Sequence, residues 1–349
     1  MHSAIQTTAS PEAGALGRPR LLMALNSRER KIFFGDGRLR MEGINVLEAS
    51  PIEGAEWAAL LHDFRPDAVM SCWSTPMLPV SNDGRTLPTR YLCHLSGSVR
   101  GVAPRPLLER GLILSNWGSM VAPEVAEHAL LLILASLRSL PQWRDTMQMP
   151  WETQAGAIDR LGTRTLRRQR VGLHGFGAIA RELVSLLRPF GVACQVYSPG
   201  VPTDFIKGHG CEPANGLEEL FAGSDVLVEC EALTAETAGS VTRELIWLLP
   251  HDAVFVNVGR GAVVDDAALS EAASQGRIRL GCDVFADEPI KPSSEFWKAR
   301  RGVFSPHIAG PTQDSYRACG EFALQNIARF FTGEPVQSVV SLEMYDRST

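Results

Sequence analysis

Short, mostly apolar runs of strand length recur along the first third of the chain, at 21–25 (LLMAL), 44–47, 68–72 (AVMSC), 91–95 and 112–115 (LILS). Runs of this length without polar alternation mark strands buried on both faces, as in parallel sheets. Helix-patterned stretches such as 54–64 (GAEWAALLHDF) lie between them, and the alternation predicts βαβ units. A long amphipathic stretch follows at 123–140 (PEVAEHALLLILASLRSL). It opens on Pro and an acidic residue and is predicted to stay helical until Pro141. The segment 142–169 has weak periodicity and reads as a loop or an arm. A second alternating series starts at Arg170, with strand candidates VGLHG, ACQVYS, DVLVEC, AVFVNVG, IRLGCDVF and GVFSP. Six such strands make up a complete dinucleotide-binding sheet. The stretch 315–331 reads as a final helix.

Composition narrows the class. At about 150 residues per domain, 349 residues suggest two domains, and 45% hydrophobic with 21% charged residues is ordinary for a chain burying two cores. The formal charge of −5 supplies no basic excess for a phosphate backbone, so no nucleic-acid partner is expected. The longest apolar run, 129–135, falls far short of the roughly 20 residues a membrane span needs. No membrane partner is expected either. The first twenty residues lack a secretory pattern, and 1–18 read as a flexible tail. Seven scattered cysteines without a C-x-x-C pair argue against a disulfide framework and a zinc site, and point to reduced thiols in the cytoplasm.

The first chemical signal is V-G-L-H-G-F-G-A-I-A at 171–180, placed between a strand and a helix. Gly175 permits a tight turn, Gly177 lets the backbone approach a pyrophosphate at the helix N-terminus, and Ala180 lets helix and strand pack closely. Phe176, Ala178 and Ile179 complete the candidate phosphate-binding turn. The next strand ends at Ser198 in Ser-Pro-Gly, where an NAD-specific fold ordinarily places an acid for the ribose hydroxyls. No Arg or Lys follows before Lys207, so the choice between NAD(H) and NADP(H) stays open.

Three later strand ends carry the other candidates. Arg260 follows VFVNVG, Glu288 sits in GCDVFADEP with Asp283, and His307 lies in FSPHIAGPT. Arg offers a planar fork for a carboxylate, His can move a proton near neutral pH, and a neighbouring carboxylate favours the charged ring and orients it. His94, His128 and His174 read as structural, and no His or Asp cluster has metal-ligand spacing, so no metal is expected.

In these motifs the sequence resembles the D-isomer-specific 2-hydroxyacid dehydrogenases. The likeness runs through the glycine turn, N-x-x-R-G-x-x-V-D at 257–265, D-V-F-x-x-E-P at 283–289 and S-P-H-I-A-G at 305–310. Segments 125–128 (VAEH) and 233–237 (LTAET) also fit, with Ala232 where a proline is usual. The resemblance implies a catalytic triad of Arg260, Glu288 and His307, with Arg260 on the substrate carboxylate and His307–Glu288 as acid/base. It implies that Asp283 meets the nicotinamide carboxamide, that Val258 lines the cofactor, and that Gly97 and Ser98 offer backbone N–H groups to the substrate. It further implies an α/β protein of two doubly wound parallel-sheet domains, Rossmann- and flavodoxin-like. A discontinuous substrate domain (19–118 and 315–349) and a cofactor domain (119–314) would close about hinges near 116–121 and 310–315. Hydride would pass between a nicotinamide and a small 2-hydroxyacid or 2-oxoacid, in a homodimer. Trp73 and Trp117 lie on loops facing the expected cleft, as pocket walls or as core fillers. The alternative is a nicotinamide-sensing corepressor, a binding module on the same fold.

Overall fold

The computed structural model describes residues 17–37, 39–80 and 87–347. The expected N-terminal tail lies, as far as residue 16, outside the described residues. Two wholly parallel sheets organise the chain. The first holds β1 (Arg20–Ala24), β2 (Asn45–Ala49), β3 (Ala68–Ser71), β4 (Tyr91–His94) and β5 (Ile113–Ser115), in the order β2-β1-β3-β4-β5. The second holds β6 (Arg170–His174), β7 (Ala193–Tyr197), β8 (Glu212–Pro213), β9 (Val226–Glu229), β10 (Ala253–Asn257), β11 (Ile278–Cys282) and β12 (Gly302–Phe304). Its order is β12-β11-β10-β9-β6-β7-β8. The first order is flavodoxin-like; the second is the dinucleotide-fold order extended by one strand. The expected architecture is therefore present.

The apolar runs become strands because helices cover both faces of each sheet. β3, β4, β9, β10 and β11 are buried at every position. On one face of the second sheet, the helices Ala122–Leu137 and Ala178–Leu187 pack together over Val171, Leu173, Val254 and Val256. The helix Tyr316–Thr332 returns to the first sheet, against β4 and the helix Ser27–Phe34, and a short last helix, Leu342–Asp346, follows it. Val340 N–H also donates to Leu114 O of β5 (2.8 Å). No helix among the described residues is long and apolar enough to cross a membrane.

Two expectations need correction. The segment 142–169 is not a loop: it forms the helices Trp143–Met147 and Trp151–Leu161 and a short 3₁₀ turn. The second helix buries only Ala157 and Leu161 while Trp151 and Ile158 stay exposed, too narrow a stripe to register as periodicity. Its local signals were Pro150 before it and Gly162, left-handed, after it. The long helix ends at Leu137 rather than at 140, because Ser139 turns left-handed (φ 54°) and its buried hydroxyl donates to Leu161 O (2.7 Å). The two-residue edge strand β8, which contains a proline, carried no apolar run at all.

Candidate active site

Register in the second sheet lines up one row of residues at its C-terminal edge. Tyr197 pairs with His174, His174 with Glu229, Glu229 with Asn257, Asn257 with Cys282, and Cys282 with Phe304. Ser198, Gly175, Cys230, Val258, Asp283 and Ser305 each stand one residue beyond that row. Ligands of open α/β sheets bind at this edge. Arg260, Glu288 and His307 are thus carried on three adjacent strand ends.

Contacts within this group are specific. Glu288 Oε2 is 2.7 Å from His307 Nδ1, while Oε1 accepts the Phe285 N–H (2.9 Å). This pairing leaves Nε2 as the ring atom available for proton exchange. The ring is about half exposed, so the pair adds little stability; what it provides is orientation. His307 has φ +53°, a left-handed backbone that is uncommon for a side-chain-bearing residue and costs of order 1–3 kcal/mol. Asp283 holds the loop in that shape. Its backbone carbonyl accepts the His307 N–H (2.9 Å), and its buried carboxylate accepts from Ser305 Oγ (2.6 Å) and from the N–H groups of Ile308 and Ala309 (2.9 Å each).

Arg260 sits on the loop after β10, its guanidinium donating to Gly259 O (2.8 Å). Burial pulls its pKa below the ordinary value, and the charge of Glu288 opposes that. Arginine stays protonated regardless, so this is a partly desolvated cation beside an acid–imidazole pair. Asn257 shapes the turn, accepting the Gly259 N–H (3.0 Å). Asp265 caps the following helix through the Ala268 N–H (3.0 Å), which explains its place in the motif.

At the glycine turn, Gly175 has φ +93° and donates its N–H to Tyr197 O (2.9 Å). A Cβ there would lie 2.7 Å from the Glu231 backbone. Gly177 caps the helix Ala178–Leu187, and a Cβ there would meet nothing within 4 Å, leaving the approach to the helix N-terminus open. Ala178 and Ile179 begin that helix, Ala180 is fully buried under it, and Phe176 is buried against Phe205 and His209. Val258 is buried and donates its N–H to Glu229 O (3.1 Å). Ser198 Oγ donates to Glu231 Oε2 (3.2 Å).

Gly97 and Ser98 lie on the other sheet, in the loop after β4. Gly97 O accepts from Asn116 Nδ2 (2.8 Å), and a Cβ at Gly97 would come 3.1 Å from the Trp117 indole nitrogen. Trp117 therefore closes on this loop. Trp73 is half exposed and packs edge-on to Tyr316. His94 is structural: it is buried between Ser71 Oγ (2.9 Å) and Ser96 Oγ (2.6 Å), and burial pushes its pKa down to about 4. His174 forms a buried pair with Glu229 (2.5 Å); burial disfavours the charged ring, but Glu229 outweighs it and the pKa rises.

Sequence reasoning missed three contributors. His128 Nε2 lies 2.8 Å from Ser305 Oγ, extending the Asp283 network onto the long helix. Asp266 Oδ2 accepts the Ala286 N–H (2.8 Å), bracing the loop that carries Glu288. Glu231 reaches Ser198. The VAEH segment and the doubled Asp265–Asp266 were visible as text; the partners 20 to 177 residues away were not.

The family model "D-isomer specific 2-hydroxyacid dehydrogenase, NAD binding domain" matches residues 130–309, just over half of the chain. The chain belongs to this family. A D-3-phosphoglycerate dehydrogenase of Methanocaldococcus jannaschii is 29% identical over 236 residues, covering 67% of this chain but 44% of that protein. This dehydrogenase-family chain thus spans less than half the length of that relative. A glyoxylate/hydroxypyruvate reductase of Arabidopsis thaliana is 31% identical over 235 residues, covering 67% of this chain and 71% of its own. Among solved structures, the NADPH-dependent glyoxylate/hydroxypyruvate reductase of Sinorhizobium meliloti, in complex with NADP and malonate, superposes with TM-score 0.72. It is 24% identical and covers 95% of this chain and 99% of its own. The D-mandelate dehydrogenase of Rhodotorula graminis superposes at 0.74 with 21% identity, over 92% of this chain and 97% of its own. These two likenesses speak to the fold.

Proposed function

We propose that this chain is an NAD(P)-dependent oxidoreductase acting on a small 2-hydroxyacid/2-oxoacid pair. One observation carries the reading: a partly desolvated Arg260 beside a Glu288–His307 pair whose Nε2 is left available, all on one sheet edge with an open glycine turn. A bound nicotinamide supplies or accepts the hydride. Arg260 holds the substrate carboxylate with its planar fork and polarises the neighbouring carbonyl. His307 Nε2 gives a proton to the carbonyl oxygen in reduction and takes it from the hydroxyl in oxidation. Glu288 fixes the ring's tautomer and direction. Gly97 and Ser98 offer backbone N–H groups to the carboxylate, and Asp283, besides shaping the His307 loop, faces the carboxamide.

Residues 19–118 and 315–349 form the substrate domain in this reading and 119–314 the cofactor domain. The return of the helix Tyr316–Thr332 to the first sheet supports that division. Closure of the cleft excludes water from the reacting atoms. The assembly is a homodimer through the long helix and the 143–161 arm, where Leu131, Met147, Trp151 and Ile158 expose apolar surface. Seven free thiols suit the cytoplasm. The corepressor alternative finds no counterpart in the relatives described, which carry names of reductases and dehydrogenases.

Arg260→Ala tests the reading. Removing the carboxylate fork lowers kcat/KM by about 10²–10³-fold while leaving the dinucleotide Kd nearly unchanged. Equal loss of turnover and cofactor binding contradicts the assigned role.

A further inference from the structure

We propose that Glu231, and not a residue of β7, is the acid that binds the adenosine ribose of the cofactor, and that it makes this chain select NAD(H) over NADP(H). The inference rests on the dinucleotide reading of the preceding subsection.

Beyond the glycine turn, the acid of an NAD site ordinarily stands at the end of the next strand, where it accepts from the ribose 2′-hydroxyl. Here β7 ends in Tyr197 and is followed by Ser198, whose hydroxyl carries no charge to repel a 2′-phosphate. The charge comes from the opposite neighbour of β6. Glu231 stands two residues past β9, beside the turn, so close that a Cβ on Gly175 would collide with its Cα and N at 2.7 Å. Its side chain spans the edge of β6 to reach Ser198 Oγ at 3.2 Å. A carboxylate is thereby delivered to the tip of β7 by another strand.

That carboxylate is held in place. Oε1 accepts the Ala232 N–H (2.9 Å), a donor that a proline at this position would lack. The Glu231 N–H donates to Glu229 Oε1 (2.8 Å), and Glu229 in turn is anchored by buried His174. Three local features therefore act together: a serine in place of an acid, a glutamate on the adjacent strand end, and an N–H behind it. Glu231 is about nine-tenths buried, and its oxygens accept one bond each from these partners. An ionised carboxylate has about four acceptor positions, so capacity remains for the two hydroxyls of a ribose.

The buried His174 ring feels the Glu231 charge as well as that of Glu229, its own hydrogen-bonded partner. Among the described residues no Lys or Arg forms an ion pair with Glu231, and none occurs in sequence between Ser198 and Lys207. Arg181, on the glycine-turn helix, lies over the Phe205 ring, and His209 Nδ1 sits on Phe205 O. A ribose diol would find an acceptor here. A 2′-phosphate would meet a like charge in a poorly screened position.

Calorimetric titration of the full-length chain with NADH and with NADPH tests this without turnover. The wild type should bind NADH at least about ten-fold tighter, a difference of about 1.4 kcal/mol. Glu231→Gln, which keeps shape and removes charge, should weaken NADH, strengthen NADPH and bring the two within about three-fold. NADPH binding as tightly as NADH to the wild type, or a ratio unmoved in Glu231→Gln, overturns the proposal. The wild-type ratio decides the question even if the variant fails to fold. If neither dinucleotide binds the wild type, the site reading beneath this inference falls, and the inference with it.

Discussion

Gly261 follows Arg260 and has no room for a side chain: a Cβ would sit 1.8 Å from the Phe285 carbonyl carbon and 2.2 Å from the Ala286 nitrogen. The loop carrying Arg260 and the loop carrying Glu288 are in backbone contact at this glycine, which sets the distance between guanidinium and acid. Gly261→Ala must push the loops apart. Overpacking of this kind costs about 1–3 kcal/mol, and a displacement of about 1 Å at reacting groups can cost about 10²-fold in rate. Thermal melts and kcat/KM of the variant should show both losses; wild-type turnover in a folded Gly261→Ala protein would mean that the loop spacing does not matter. At this scale the sequence was informative where a role is local. Arg260, Glu288 and His307 each follow a strand that an apolar run announces. Glu231 was illegible because its meaning depends on β9 lying beside β6 and on Ser198 at the far side of the turn.

The loop 283–289 is braced at several points, by Asp283 on the His307 loop and by Asp266 on the Ala286 N–H. Burial, with Asp287, Asp265 and Glu288 nearby, pushes Asp266 up to about 6 from the ordinary 3.8, against the pull of that N–H. A carboxyl raised in the folded state stabilises fully below its unfolded pKa, and that contribution is lost as pH rises through the folded one. Wild-type stability should therefore decline between about pH 4 and pH 6 on this account. Asp266→Asn, which keeps an acceptor for Ala286 and carries no charge, should melt higher than wild type at pH 8, the gap closing near pH 4. A gap independent of pH would sink the assignment. An element with a continuous apolar run, such as β10, was legible because burial on both faces writes itself into composition. The helix Trp151–Leu161 was not, since it turns Trp151 and Ile158 outward.

The whole molecule places two parallel sheets in one chain, the second lining up the candidate residues from Ser198 to His307 along its C-terminal edge. The exposed apolar side chains on the long helix and the arm, Trp151 and Met147 foremost, are the surface a second copy would cover. Sedimentation should give about twice the 38.0 kDa chain mass, and Trp151→Glu should shift it toward the monomer. A wild-type monomer at micromolar concentration would contradict that assembly. The two series of strands followed from the apolar runs, whereas the two-domain plan and the return of the helix Tyr316–Thr332 to the first sheet could be read only through the family likeness, because nothing in that helix itself says which sheet it covers.

Oxidation of NADH and NADPH by the purified chain, followed across a panel of small 2-oxoacids, addresses the central claim most directly. The account predicts turnover with at least one 2-oxoacid that depends on Arg260 and His307. Tight binding of the reduced dinucleotide with no oxidation by any 2-oxoacid would contradict it.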